Sequence, residues 1–414
     1  MLDTPCVEHL DLRTTTRHHH HPHLARPGAF WLVAVAFTIL LFGVTLPTPL
    51  YVVYQAEWGF TAGVLTAVFA IYAAGVLTAL LVFGRLSDQV GRKRVLGAAV
   101  VVAAASTLVF FLANGVAALL LARLLSGFAA GLTQGTATAA LAELEPHHDQ
   151  RRAALIGSTV STGAAGVGPL LAGLLVEYVG WTTHLVFVVY FGCLLVATVA
   201  MLLIPETVLE RHSPTIRVQR PSVPAEIRPA FFAAAASAFT VSALLGLVIA
   251  LVPSFLGKEL HQRNHAVAGL VVFVLFSVAT VAQLLLHRLT SRHALLFGFA
   301  WLLLGLGLLM LGLDLAQIAV FVAGIVSSGI GTGLVMMGAL ATVNRIAPPE
   351  HRAEVMSGFF VSAYAGLAIP ALGVGIASQQ VGFFRATLVC SIVLAVVLGT
   401  VATRVLGAPG TVRP

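Results

Sequence analysis

Charged residues are scarce in this chain of 414 residues: Asp, Glu, Lys and Arg together make up 9%. Soluble globular proteins carry about 25%, so the composition excludes a water-exposed surface over most of the chain. Hydrophobic residues make up 58%, and the mean hydropathy is +0.97. The sequence therefore predicts a protein that crosses a lipid bilayer many times.

Cysteine is also scarce, with Cys6, Cys193 and Cys390 far apart in the chain. The last two lie inside apolar runs, where a thiol behaves as a small hydrophobic group. This pattern does not predict a disulfide framework.

The sequence lacks the short motifs of several enzyme classes. It has no His-Glu-x-x-His, no Gly-x-Ser-x-Gly and no phosphate-binding glycine loop followed by Lys. We therefore expect no enzyme, no bound metal or cofactor and no direct use of ATP by this chain. The energy source is then expected to be an ion gradient.

The formal net charge of +7 is compatible with binding to nucleic acid or to an anionic membrane surface. Position decides between them. Arg123 lies inside an apolar run, Lys258, Arg263 and Arg385 fall in one set of loops, and the remaining 19 of 23 bases fall on the other side. An excess of bases marks the cytoplasmic side, so we expect both termini in the cytoplasm and no nucleic-acid partner.

Apolar runs bounded by charge or by Gly and Pro predict twelve membrane helices, because about 20 apolar residues span a bilayer core. Their predicted limits are 29–54, 62–84, 94–112, 116–141, 152–176, 183–204, 230–256, 266–286, 293–312, 315–342, 353–377 and 382–405. The predicted organisation is a tail at 1–28, a six-helix bundle at 29–204, a linker at 205–229, a second bundle at 230–406 and a tail at 407–414. The histidine run at His18 to His21 is typical of a solvated tail, and we assign it no function.

Residues that interrupt the helices recur at a nearly constant offset. Gly127 precedes Gly329 by 202 positions, and Pro169 precedes Pro370 by 201. Such self-similarity favours two related bundles that face each other. The predicted fold class is an all-α polytopic membrane protein with twelve transmembrane helices in two pseudo-symmetric six-helix bundles.

The loop from Gly84 to Arg94 concentrates one acid and four bases between two membrane helices. We expect Gly84 to permit close helix contact and Gly91 to supply a turn conformation that other residues rarely adopt. Asp88 lies near Arg92, where opposite charges form a charge-assisted hydrogen bond, and Glu143 or Glu145 is expected to complete the cluster. In the alternative interpretation, the bases only fix the membrane topology.

These motifs resemble the major facilitator superfamily over nearly the whole chain. The loop matches the family pattern Gly-x-Leu-Ser/Ala-Asp-x-x-Gly-Arg-Lys/Arg, and further matches are Leu121-Ala122-Arg123 with Gly127, Gly168-Pro169 with Gly173, and the 43–49 segment GVTLPTP. The Gly168-Pro169 pattern resembles an element associated with exporters, and the GVTLPTP segment is similar to a proline pattern of twelve-helix drug exporters. Within the family, the chain thus resembles the twelve-helix drug/proton antiporters. The resemblance implies that the loop cluster latches the two bundles on the cytoplasmic side, that the bend at Pro169 limits proton leak, and that a proton gradient drives transport.

Arg123 is the one charge well inside an apolar run, and such a charge costs about 2.5–3.5 kcal/mol to insert. It is therefore expected to face a cavity or a partner. Gln134 and Thr138 fall on nearly the same helix face, and Thr45 is a further candidate. We predict that these four residues form a substrate or coupling surface. In the alternative interpretation, Arg123 extends toward the membrane surface beside a glycine packing seam.

Small residues and prolines predict where helices pack closely or bend. These candidates are Gly127, Gly131, Gly168, Pro169, Gly173 and Pro370.

Two functions remain open from the sequence. The first is proton-coupled efflux of drug-like or amphipathic compounds, and the alternative is an importer or exchanger of a small metabolite such as an organic acid, amino acid or sugar. No carboxylate lies deep inside a predicted helix, so proton coupling is implied by the resemblance alone. We expect a monomer with a small-molecule substrate, spanning the bilayer of a bacterial inner membrane.

Overall fold

The computed structural model describes residues 26–179, 183–208, 223–254, 264–348 and 351–407. Most of the predicted N-terminal tail with its histidines, the middle of the predicted linker, Lys258, Arg263 and the last seven residues lie outside these ranges.

The described residues form fourteen α-helices. They are α1 (Arg26–Thr45), α2 (Leu50–Trp58), α3 (Ala62–Phe83), α4 (Leu86–Val90), α5 (Arg92–Phe111), α6 (Val116–Leu144), α7 (Gln150–Tyr178), α8 (Leu185–Leu203), α9 (Arg228–Ser254), α10 (His265–Leu285), α11 (Ser291–Asp314), α12 (Ile318–Ile346), α13 (Arg352–Val381) and α14 (Phe383–Gly407). Twelve spans among them are long and apolar enough to cross a membrane, with α1 and α2 forming the first span together. The predicted all-helical, twelve-span architecture is confirmed, and the protein is a multi-pass membrane protein.

The first span differs from the single helix predicted at 29–54. It extends to Trp58 and breaks into α1 and α2 around Pro47 and Pro49. A proline has no backbone N–H, so it cannot continue a helical hydrogen-bond ladder. The Thr48 N–H, which would bond the Val44 carbonyl in a continuous helix, bonds the Thr45 carbonyl instead. The break therefore leaves the Val44 carbonyl available to another partner.

Two hydrophobic cores divide the chain. One is built from residues between Ala29 and Ile204, and the other from residues between Phe231 and Val401. We call the helices α1 to α8 the first bundle and α9 to α14 the second bundle.

The two bundles repeat the same close helix contact. A Cβ at Gly127 of α6 would lie 2.2 Å from the Tyr72 carbonyl oxygen of α3, and a Cβ at Gly329 of α12 would lie 2.7 Å from the Leu275 carbonyl oxygen of α10. The glycines are 202 positions apart and their partners 203 apart. The same relation holds one turn further along, for Gly131 with Val76 and Gly333 with Ala279. The repeated glycines thus mark equivalent packing sites in related bundles.

The bundles meet along two helix pairs, α7 with α10 and α3 with α13. The α7–α10 contact is close enough to need glycine on both sides. A Cβ at Gly269 of α10 would lie 2.3 Å from the Pro169 carbonyl oxygen, and one at Gly173 of α7 would lie 2.6 Å from the His265 carbonyl oxygen. Because those neighbours are backbone atoms, a larger residue at either position would push the helices apart.

Candidate functional site

The 84–94 loop folds as the short helix α4 between two turns. Gly91 has φ +114°, a backbone conformation that residues with a Cβ rarely adopt, and α5 begins at the next residue. Gly84 instead has an ordinary helical φ of −57° and is exposed. The close helix contact predicted at Gly84 is therefore wrong, because α3 simply ends there at the surface.

Arg92 organises the charges of this loop. Its guanidinium pairs with Asp88 four residues earlier, donates to the Ser87 hydroxyl oxygen at 2.6 Å and pairs with the Glu143 carboxylate at 2.9 Å. Only 13% of the Arg92 side chain is exposed, against 53% for Asp88. The cluster thus links α4, α5 and the end of α6 within the first bundle.

The segment after α8 packs onto the same cluster. The Glu206 carboxylate accepts the Arg92 backbone N–H at 2.8 Å, and the Thr207 hydroxyl donates to Glu143. The Lys93 ammonium donates to the carbonyl oxygens of Leu202 and Ile204, both at 2.8 Å. The loop cluster therefore also holds the chain at the start of the predicted linker. Sequence reasoning missed these contacts because they depend on where α8 ends relative to α5.

Glu145, predicted as an alternative to Glu143, lies apart from Arg92. Its fully buried carboxylate accepts the backbone N–H groups of His147 and Asp149 at 2.7 Å each and lies 3.4 Å from Arg152. Burial raises the pKa of the Glu145 carboxyl, but the hydrogen bonds from Asp149 and His147 and the Arg152 charge outweigh it, so the pKa lies below its usual value. Glu145 shapes the turn between α6 and α7.

An ion pair connects the two bundles on the face of the membrane that carries the 84–94 loop, which we call the loop face. Arg85 lies 3.8 Å from Glu354 in the first turn of α13. The contacts described for Asp88, Arg92 and Glu143 stay within the first bundle. Among the described ion pairs of this loop, the pair of Arg85 with Glu354 therefore crosses between the bundles. In the sequence, Arg85 was one of the four bases of this loop and had no predicted partner.

Arg123 lies in α6 with 2% of its surface exposed. Its guanidinium donates to the Val44 carbonyl at 2.6 Å, the group released by the break between α1 and α2. The guanidinium carbon lies 5.0, 5.8 and 5.5 Å from the ring centroids of Tyr51, Phe69 and Tyr72, respectively. A cation over aromatic faces is attracted by the ring quadrupoles. Arg123 therefore occupies an aromatic cage, rather than reaching toward the membrane surface.

Two of the other predicted substrate residues lie away from Arg123 along α6, whereas Thr45 directly follows Val44, the residue whose carbonyl binds Arg123. Gln134 lies eleven residues further along α6, about 16 Å at 1.5 Å per residue, and its side-chain oxygen accepts from Ser161 at 3.4 Å. Thr138 is exposed and bonds carbonyls of its own helix, and Thr45 likewise bonds the Phe42 carbonyl. The four residues therefore do not form one polar surface.

The predicted packing residues occupy two kinds of contact. Gly127 and Gly131 join α6 to α3 inside the first bundle, and Gly168 fits α7 against α1, with a Cβ 2.4 Å from the Phe42 carbonyl oxygen. Gly173, in contrast, lies at the interface between bundles. Pro169 and Pro370 lie inside α7 and α13, respectively.

Polar contacts cross the α7–α10 interface at both ends. On the loop face, the buried Gln283 amide bonds the hydroxyl groups of Ser158 at 3.2 Å and Thr162 at 3.3 Å. On the opposite face, the Glu177 carboxylate accepts the His265 backbone N–H at 2.9 Å and lies 3.1 Å from the His265 ring nitrogen. The sequence shows that these residues are polar, but their contacts with each other could not be predicted from it.

A cavity of about 30 Å³ lies between α3, α9 and α13, where the two bundles meet. Its lining is apolar apart from one hydroxyl: Leu65, Thr66, Phe69, Gly246, Ile249, Leu367 and Ala371. Beside it, the rings of Tyr72 and Tyr364 meet edge to face across the interface at 6.2 Å. Such a cavity holds a water molecule or two, whereas drug-sized ligands need about 300 Å³ or more. The bundles must therefore separate to admit a substrate here.

Comparison with known proteins identifies the family. Residues 33–293 and residues 230–414 each match the family described as Major Facilitator Superfamily. These matches cover most of the chain and agree with its twelve spans and repeated bundles. The chain belongs to the Major Facilitator Superfamily. That family consists of membrane transporters of small molecules, not of enzymes.

Curated relatives match shorter segments. An uncharacterized MFS-type transporter of Mycobacterium tuberculosis is 34% identical over 155 residues, which are 36% of this chain and 22% of that protein. A second one from the same organism is 28% identical over 155 residues, 37% of this chain and 26% of the relative. Quinolone resistance protein NorA of Staphylococcus aureus is 23% identical over 139 residues, 34% of this chain and 36% of NorA. The matches thus span about a fifth to a third of these relatives' lengths.

Proposed function

We propose that this chain exports drug-like or amphipathic compounds in exchange for protons, by alternating access. The observation that carries the proposal is the contact between the bundles at both ends of the α7–α10 interface, through Gln283 on the loop face and the Glu177–His265 pair on the opposite face. A transporter that opens to one side at a time must break these contacts in turn. The small interbundle cavity is then an occluded form of the substrate site.

The direction of transport is proposed from similarity. NorA, the distant relative, is named for quinolone resistance. The Gly168-Pro169 element on α7 resembles the pattern of exporters, and Gly168 packs directly against α1. Both features favour export over import.

We assign the latch to Asp88, Arg92 and Glu143, with Gly91 setting the turn. Because Glu206 and Thr207 bind the same cluster, a movement of α4 and α5 would also move the start of the linker. Arg85 and Glu354 form the part of this latch that crosses between bundles. Arg123 is the proposed substrate or coupling residue.

Among the described residues, no carboxylate lies deep in a membrane helix. Each Asp or Glu in a described membrane span lies within three residues of an end of that span. Proton coupling therefore rests on the family resemblance. We also propose cytoplasmic termini, bundle limits at 29–204 and 230–406, a monomer and a location in a bacterial inner membrane.

Transport in proteoliposomes tests the proposal. The purified protein is reconstituted, a pH gradient is imposed, and a fluorescent quinolone and a panel of amphipathic compounds are followed. We expect at least one compound to move against its own concentration gradient, toward the acidic side. This transport should stop when an ionophore collapses the pH gradient. Transport toward the opposite side, or transport only of sugars, amino acids or organic acids, would favour the importer or exchanger.

The Asp88→Asn variant provides the matched control for the latch. It keeps the side-chain volume and removes the charge that pairs with Arg92. Full transport by this variant would contradict the latch assignment.

A further inference from the structure

The electrostatics of the membrane interior indicate which charge a substrate can carry. Arg123 is buried to 98%, and among the described residues no carboxylate forms an ion pair with it. Its contacts with the described residues include the Val44 carbonyl and three aromatic rings. The positive charge of Arg123 is therefore stabilised locally but not cancelled.

The guanidinium also retains an unused donor. The buried Nε–H of Arg123 has no acceptor within hydrogen-bonding distance among the described residues. A buried donor without a partner is costly. An acceptor group on a ligand could pair with it once the cage opens.

The cage adjoins the cavity between the bundles. The Phe69 ring lies against the Arg123 guanidinium and also lines the cavity. The Tyr72 ring likewise lies against the guanidinium, and it also contacts the Tyr364 ring of the second bundle. The aromatic wall thus separates the charge from the cavity by one ring. In a medium of low dielectric constant, the field of an uncompensated charge extends across such a distance.

Nothing described in the membrane interior would balance a substrate cation. Within the described spans, acids occur only in the first or last three residues, near water and counter-ions. An organic cation in the cavity would meet aliphatic groups, one hydroxyl, the repulsive field of Arg123 and the Phe69 ring, which already lies against the Arg123 guanidinium. Burial of an unpaired charge is strongly unfavourable.

From this arrangement we propose that the site between the bundles selects aromatic compounds that are anionic or neutral and rejects lipophilic cations, with the Arg123 charge as the selecting element. The inference rests on the proposed function, since it names the charge class of the transported compound. Two unit charges about 10 Å apart at an effective dielectric constant of about 20 change an affinity by roughly tenfold or more.

Two ions of matched shape test the inference. Tetraphenylborate and tetraphenylphosphonium both place four phenyl rings around one central atom and differ in the sign of charge. Binding of each is measured by titration of the full chain in lipid nanodiscs, with empty nanodiscs subtracted because the two ions partition differently into lipid. We expect the borate to bind at least about tenfold more tightly than the phosphonium.

Variants at Arg123 identify the source of the preference. Arg123→Gln keeps a donor for the Val44 carbonyl but removes the charge, so the ratio of the two affinities should fall about tenfold. Arg123→Lys keeps the charge and should preserve the ratio. If Arg123→Gln does not fold, the wild-type ratio and the Arg123→Lys ratio still decide the question.

Equal affinities, tighter binding of the phosphonium, binding of neither ion, or an unchanged ratio in a folded Arg123→Gln variant would overturn the inference. A failure of the proposed function can be distinguished from a failure of this inference. If no compound follows the pH gradient in proteoliposomes while the affinity ratio holds, then charge selection stands and proton-coupled export does not.

Discussion

Replacing Gly173 with Ala should open the interface between the bundles at the Glu177–His265 end. The added Cβ would lie 2.6 Å from the His265 carbonyl oxygen on α10. Comfortable contacts between heavy atoms are near 3.5 Å, so α7 and α10 must separate by close to 1 Å. The obstructing atom belongs to the backbone, which a side-chain rotation cannot relieve.

The size of the effect follows from two terms. Overpacking costs about 1–3 kcal/mol, and Ala gains up to about 1 kcal/mol over Gly in helix propensity. The propensity gain is present in every conformation, whereas the overpacking exists only while α7 touches α10. The population opened at this end should therefore increase by about 5- to 150-fold.

The assay measures access to the interbundle cavity. Thr66 lines the cavity and touches Gly375 of α13, so a cysteine at position 66 reports opening when the natural cysteines are replaced. The rate of its reaction with a membrane-impermeant thiol reagent should increase by fivefold or more in Gly173→Ala.

Two further glycines serve as matched controls. Gly192 in α8 has no neighbouring atom within 4 Å of its added Cβ, so its Ala variant should leave the rate unchanged and should not lower the melting temperature. Gly131→Ala places a Cβ 2.6 Å from that of Ala79 inside the first bundle, and it should lower the melting temperature without speeding the reaction. An unchanged rate in Gly173→Ala, or an equal increase in Gly131→Ala, would refute the reasoning.

Four other variants test other parts of the structure. Asp88→Asn should strongly reduce transport while the melting temperature stays nearly unchanged, because Asp88 is half exposed; parallel losses would indicate a folding role. Arg123→Ala should lower the melting temperature as well as transport. The substitution empties the aromatic cage and leaves the Val44 carbonyl without its hydrogen-bond donor, which should lower the free energy of unfolding by about 2–4 kcal/mol. The charged Glu145 carboxylate should stabilise the fold above the ordinary carboxyl pKa of about 4.3, and this stabilisation should be lost as the pH falls toward the lower pKa of the folded protein. Glu145→Gln should remove that pH-dependent contribution. Melting temperatures that depend equally on pH in the wild type and the variant would contradict this. Gln283→Leu should favour opening on the loop face by about 2- to 10-fold, since each hydrogen bond contributes about 0.5–1.5 kcal/mol; unchanged distances between spin labels on α7 and α10 would exclude it.

Most helices could be predicted from the sequence because apolar length alone requires them. In a bilayer core every backbone N–H and C=O must be satisfied internally, so long apolar runs form helices whatever surrounds them. The exception was the first span. The prolines at 47 and 49 were visible in the sequence, yet the prediction treated the run as one helix, and the break decides where Arg123 finds a partner.

The pairing of charged groups was less predictable. The pair of Arg92 with Asp88 was predicted from their closeness within the charged loop. The choice of Glu143 over Glu145 was not, because it depends on how α6 ends and on which carboxylate the α6–α7 turn uses for its own backbone. Glu206 and Arg85 likewise acquire partners only through packing.

The sequence by itself determined the membrane class, the number of spans, the repeat and the cluster of charges in the 84–94 loop, since each of these depends on composition, local spacing or offset. Only the tertiary structure decided that Arg123 is enclosed by aromatic rings, that Gly173 belongs to the interface between bundles while Gly131 does not, and that Gln283 and His265 face α7. The reason is geometric. Which face of an apolar helix meets which neighbour depends on the rotation and crossing of helices whose lipid-facing and protein-facing residues are equally hydrophobic.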